Sequence, residues 1–147
     1  MSKLKGRRCA ECGGMIRLVA KPGRRGRYKT MMLPIPASLK IPTCASCGSE
    51  WIDRATGAAI DVLLERAFRG ELRARAKDAI ERIAKQVTKQ RLERLLGLSQ
   101  GYLSHLTAGD RDPSPELVSQ LALIARAPKQ RVRELEDFWG WKSKDAA

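Results

Sequence analysis

The chain has 147 residues, 43% of them hydrophobic, and carries a formal net charge of +13 with a pI near 10.2. That length allows one ordinary domain or two small ones, and no apolar run approaches the ~20 residues that a membrane-spanning helix needs. So basic a chain is built to sit near a polyanion, with nucleic acid as the first expectation. The charge is uneven, since ten of the 29 Lys and Arg lie in residues 1–29, where Glu11 is the only acid.

The four cysteines fall as two matching knuckles, Cys9-Ala-Glu-Cys12-Gly and Cys44-Ala-Ser-Cys47-Gly. Two Cys-x-x-Cys pairs read as one tetrahedral site, because four thiolates suit the closed, soft coordination that Zn²⁺ prefers. The only histidine is His105, far along the chain, so no further ligand is at hand and the zinc is expected to be structural, one per chain. The glycine after each second cysteine suits the backbone of a tight turn. Two disulfides or a redox dithiol are the alternatives. The N-terminus, Met1-Ser-Lys-Leu-Lys-Gly-Arg-Arg, lacks the apolar core of a signal peptide, which favours a reducing cytoplasm and metal. A redox motif would need a helix after Cys12, where Gly13-Gly14 instead starts a turn. Part of the local charge also has a reason: a Zn(Cys)₄ centre is formally −2, and Arg7 and Arg8 favour its thiolates.

Between the knuckles the sequence favours strands. Met15–Ala20 mixes β-formers, Lys21–Arg27 reads as an exposed turn, and Tyr28–Leu33 resumes the strand pattern. Pro34, Pro36 and Pro42 exclude a long helix before Cys44. A small antiparallel sheet beside the metal is expected, with the metal supplying much of its folding free energy. After Trp51 the period changes. Thr56 is a candidate N-cap for a helix whose face is Ile60, Leu63, Leu64, Ala67 and Phe68, and Gly70 is its expected stop. Glu71–Ala76 reads as a hinge or helical connector, and Ile80, Ile83, Ala84 and Val87 make the next apolar face.

Residues 88–109 pair two short helices. Thr88 caps the first, which buries Leu92, Leu95 and Leu96 and ends at Gly97; Leu98 plugs the corner. Ser99 is the expected cap of the second, with Leu103 and Leu106 inward and Gly109 as its end. Gln100, Gly101, Tyr102, Ser104 and His105 then face outward. A helix is the element the DNA major groove admits, and Gln pairs there with adenine N6 and N7. Ser114 caps a further helix with Pro115 at its first position and Leu117, Val118, Leu121, Ala122 and Ile124 as its core face. Pro128 opens the last helix, with Val132, Leu135, Phe138 and Trp139. Trp139 and Trp141 suit packing or dimer contacts.

On these residues the chain resembles two families. Thr88–Gly109, followed by Pro113-Ser114, looks like the five-helix DNA-binding domain of Xre/Cro and lambdoid phage repressors. With two CxxC knuckles ahead of it, most of the chain resembles the MqsA-type antitoxins, which join a YgiT-type zinc finger to such a domain. The resemblance implies an α+β, mostly α protein: a small zinc-bound β module followed by a five-helix lambda-repressor-like helix-turn-helix domain. The expected domains are residues 1–70, the zinc module with its trailing helix; 71–141, the helix-turn-helix domain; and 142–147, a disordered tail. It implies Zn²⁺ held by Cys9, Cys12, Cys44 and Cys47. It places Gln100, Gly101 and His105 at base-reading positions and Lys89 and Ser99 at phosphates, with Tyr102, Ser104 and Arg111 completing the DNA-binding set.

Lys89, Gly101, Glu93 and Thr107 depart from the family pattern. Glu93 stands where a small residue usually packs on the recognition helix, so it is expected to bend outward or to pair with His105 or Tyr102. The function implied is a cytoplasmic, nucleoid-associated bacterial regulator and not an enzyme. It would be a homodimer on palindromic duplex DNA that also binds a toxin through residues 1–68. The alternative is a stand-alone repressor of a mobile element without a toxin partner.

Overall fold

The structure is a computed structural model and describes residues 6–141. The described residues are α+β and mostly α, with four short strands followed by five helices. The expected tail, 142–147, lies outside the described residues. The chain divides into two compact units, residues 1–68 and 69–147.

In the first unit, β1 (Ile16–Ala20) pairs antiparallel with β4 (Lys40–Cys44), setting Ile16 opposite Cys44 and Leu18 opposite Pro42. A second antiparallel pair, β2 (Arg25–Tyr28) and β3 (Met31–Pro34), sets Arg27 opposite Met32. The stretch expected as one exposed turn therefore contains the start of β2, and the reversal falls at Lys29-Thr30. In β2, alternation turns Gly26 and Tyr28 inward and leaves Arg25 and Arg27 outward. Gly26 backs on Leu64, and Tyr28 meets Phe68 with ring centroids 5.4 Å apart. These contacts, with buried Leu33, Ile35, Ile41 and Ile60, form a small apolar core against the first helix.

That helix, α1, runs unbroken from Arg54 to Ala84. Two expectations are corrected here. Its N-terminal cap is Asp53, whose Oδ1 accepts the Thr56 N–H at 2.8 Å, and not Thr56 itself. Gly70 does not stop it; of the two readings of Glu71–Ala76, hinge or helical connector, the helical one holds, since the segment is helix interior. Leu72, Ala76, Ala79 and Ile80 are buried, so apolar residues continue at helical spacing past Gly70, and their burial outweighs the ~1 kcal/mol cost of one helical glycine.

The second unit contains the rest of α1, then α2 (Lys89–Leu95), α3 (Tyr102–Ala108), α4 (Pro115–Arg126) and α5 (Pro128–Trp139). Its core joins Ile83, Val87, Leu92, Leu95, Leu103, Leu106, Leu117, Val118, Leu121, Ile124 and Val132. Caps sit where the sequence places them at Thr88, which accepts from the Arg91 N–H, and at Ser114, which accepts from the Leu117 N–H. Ala84 and Ala122 are exposed rather than core, and so are Phe138 at 75% and Trp139 at 58%. The α5 stripe that packs inward carries Val132 and Glu136 instead.

Candidate metal centre and nucleic-acid interface

The two knuckles have one geometry. In the first, Cys9 N–H donates to Gly14 O and Gly13 N–H to Cys9 O, both at 2.8 Å. In the second, Cys44 N–H donates to Ser49 O at 2.9 Å and Gly48 N–H to Cys44 O at 3.1 Å. Gly13 and Gly48 both take the left-handed conformation, φ +71° and +75°, that closes each turn at no steric cost. An outer hydrogen bond joins Ala45 N–H to Met15 O, tying the knuckles together through β1 and β4.

The result gathers all four sulfurs within 4.8 Å of one another. Cys9 Sγ lies 3.7 Å from Cys47 Sγ, and Cys12 Sγ 3.4 Å from Cys44 Sγ. Zn–S bonds of about 2.3 Å in a tetrahedron give S···S edges of about 3.8 Å, so the donor set and its spacing both fit a four-coordinate ion. Cys9 and Cys44 are buried, while Cys12 and Cys47 face solvent. The thiols are out of balance with one another. Cys47 is drawn down to about 6 by the Ser49 hydroxyl and backbone. Cys44 is lowered by the Cys47 and Ser46 N–H groups. The Gly14 N–H favours the Cys12 thiolate most strongly of any one group, but the Cys44, Cys47 and Cys9 sulfurs and desolvation together outweigh it, and Cys12 goes up to about 12. Four sulfurs this close can all ionise only around a cation. Arg8 donates to Gly13 O of the first knuckle at 3.2 Å.

In the second unit, α2 and α3 meet across a turn in which Gly97 has φ +66° and Leu98 N–H donates to Glu93 O at 2.8 Å. Lys89 is the first residue of α2. Ser99 does not cap α3 with its side chain. Its carbonyl accepts the Tyr102 N–H at 3.1 Å, and Gly101, at φ +81°, is the residue that leads into the helix. Ser99 and Gln100 are exposed in the turn, and Ser104 and His105 are exposed on α3. Tyr102 is half-buried, with the Arg111 guanidinium 5.4 Å from its ring centroid. His105 Nδ1 lies 3.2 Å from Asp110 Oδ2. The α3 side chains and Arg111 thus share the outer surface of one short helix and its flanking loops.

Glu93 neither bends outward nor pairs with His105 or Tyr102. It is 3% exposed, and its Oε2 has no hydrogen-bond partner among the described residues. Thr107 turns its hydroxyl back to the Leu103 and Ser104 carbonyls. Sequence reasoning missed the ion pairs Arg24–Glu50, Arg91–Glu136 and those of Asp112 with Arg73 and Arg69, whose partners lie too far apart along the chain for periodicity to link them.

Residues 79–124 match the family model described as helix-turn-helix, a span that takes in the end of α1, all of α2 and α3, and α4 to Ile124. This stretch is a helix-turn-helix domain of the Xre type, a fold of DNA-binding regulators, and the cluster of four cysteines ahead of it is compatible with a zinc site. No curated protein matches the chain. Among the described residues no helix is long and apolar enough to cross a membrane.

Proposed function

We propose that the protein is a zinc-containing transcriptional regulator that binds a palindromic operator as a homodimer, and that it is the antitoxin of a type II toxin–antitoxin system. The observation that carries this reading is the joining of two units in one chain: a four-sulfur cluster within 4.8 Å and a helix-turn-helix domain over 79–124. The ion is Zn²⁺, one per chain, with a structural role, since Cys9, Cys12, Cys44 and Cys47 fill four positions and leave none open for substrate. In the operator complex α3 enters the major groove. Gln100 and His105 meet base edges, with Gly101, Tyr102 and Ser104 beside them. Lys89, Ser99 and Arg111 meet phosphates. Phe138 and Trp139, exposed beside Leu123 and Leu135 around a groove of about 600 Å³, offer the surface for the second copy.

Residues 1–68 would hold a toxin encoded beside this gene. Co-expression tests that directly: residues 1–68 should rescue growth from the neighbouring gene product and co-purify with it. A second reading, a stand-alone repressor of a mobile element, is favoured by one feature. Between Glu11 and Glu50 the sequence has no acidic residue, a surface suited to phosphate. A neighbour that is not toxic, together with a deletion of residues 1–50 that lowers only DNA affinity and its salt dependence, would favour that reading over the first.

A further inference from the structure

Beside the metal knuckles the first unit has a cleft of about 270 Å³ whose lining includes Arg7, Arg8, Ile16, Pro42, Trp51 and Asp53. Four chain segments lie side by side to make it. Ile16 N–H donates to Arg7 O at 3.2 Å, β1 pairs with β4, and Trp51 N–H donates to Pro42 O at 2.9 Å. Its lining joins apolar and aromatic side chains to two arginines, both exposed. Arg8 gives one N–H to Gly13 O, and a guanidinium has five donors.

The acids nearby each have a partner, although Asp53 also lines the cleft and keeps its charge beside Arg7. Asp53 caps α1 through Thr56, Glu50 pairs with Arg24, and Glu11 accepts the Ser49 hydroxyl. Two guanidinium groups against one carboxylate leave the cleft net positive, with the Trp51 ring among its lining.

We infer that this cleft binds single-stranded nucleic acid, one unpaired base stacking on Trp51 while Arg7 and Arg8 meet the flanking phosphates. A duplex keeps its bases sealed in the stack and would leave the Trp51 ring unused. An unpaired strand uses both the ring and the guanidinium groups, and base–aromatic stacking with backbone contacts is how such strands are held without sequence preference. This inference does not rest on the operator reading, which concerns Lys89–Arg111.

The test uses the full chain with zinc and fluorescein-labelled oligo-dT and oligo-U of about ten nucleotides, followed by anisotropy. Both strands should bind. Trp51→Leu should weaken binding about tenfold, Trp51→Phe should restore most of it, and the affinity for an operator duplex should stay unchanged in both. Arg7→Gln/Arg8→Gln removes no buried side chain, so it covers the case in which Trp51→Leu does not fold; it should weaken binding and flatten the salt dependence. Tighter binding of oligo-U than oligo-dT would add a 2′-hydroxyl contact to the site, and equal binding would place recognition in base and phosphate; either supports the inference. It is overturned if the arginine variant binds both strands as the wild type does, if an unrelated duplex competes equally, or if only a Glu-rich peptide occupies the cleft.

Discussion

Arg91 on α2 and Glu136 on α5 are joined by a charge-assisted hydrogen bond, Nε to Oε1 at 2.7 Å, with Glu136 only 8% exposed. The pair ties the first helix of the helix-turn-helix to the last helix of the domain. It is the side-chain counterpart of a second tie, the Trp139 indole N–H donating to Leu95 O at 3.1 Å.

Glu136→Ala should therefore destabilise the helical unit by about 1–3 kcal/mol, because it leaves a half-buried guanidinium without its carboxylate. Urea unfolding followed by circular dichroism measures this. A loss below about 0.5 kcal/mol, within the range of an ordinary exposed pair, would show that solvent replaces the carboxylate at little cost.

Glu93 should behave in the opposite way. A buried carboxylate oxygen without a partner costs free energy, and replacement by an apolar side chain of similar volume removes that cost. Glu93→Leu is expected to stabilise the domain by about 1–2 kcal/mol, seen as a higher thermal midpoint, with zinc content unchanged. A lower midpoint would mean that the carboxylate contributes to the packing of α2.

The Arg24–Glu50 pair predicts an acid limb in the stability of the first unit. Arg24 holds the Glu50 carboxyl below its ordinary value of 4.5, chiefly through their hydrogen bond. A carboxylate whose folded pKa is depressed contributes stability above its unfolded pKa and loses it as pH falls through the folded one. Glu50→Gln should thus lower stability at neutral pH and make unfolding less dependent on pH below about 4.5. A variant whose acid limb matched the wild type would contradict the pairing.

The metal centre makes a separable prediction. Elemental analysis should give close to one zinc per chain. Cys44→Ser should unfold residues 1–50 while α2–α5 keep their melting transition and their DNA binding, because binding of the metal is folding free energy for a module with so small a core. Thiols found in disulfides, or freely alkylated in the native protein, would remove the zinc assignment.

Much of this molecule was legible in the sequence because its signals are local. The Cys-x-x-Cys-Gly repeats, Thr88, Gly97, Gly109 and Ser114-Pro115 each fix a turn or a cap within a few residues, and the structure has them in those roles. What was not legible depends on tertiary packing. Gly70 reads as a helix stop in isolation, yet Leu72 and Ala76 are buried and carry α1 through it. Glu93 reads as surface by its charge, yet it is buried on α2 along with Leu92 and Leu95. Phe138 reads as core by its chemistry, but the inward stripe of α5 passes through Val132 and Glu136. The cleft at Trp51 is assembled from four separate segments and has no sequence signature.

The proposed function rests most heavily on α3 and the turn that leads into it, with Gln100, as the reader of DNA. Selection of duplexes from a random pool by the full chain, followed by affinity measurements with Gln100→Ala, tests it most directly. The account predicts a two-fold symmetric site with half-sites about 10 base pairs apart, and a loss of about 1–3 kcal/mol in discrimination at one position of each half-site in the variant. Operator discrimination left intact by Gln100→Ala, or a selected pool with no recurring site, would contradict it.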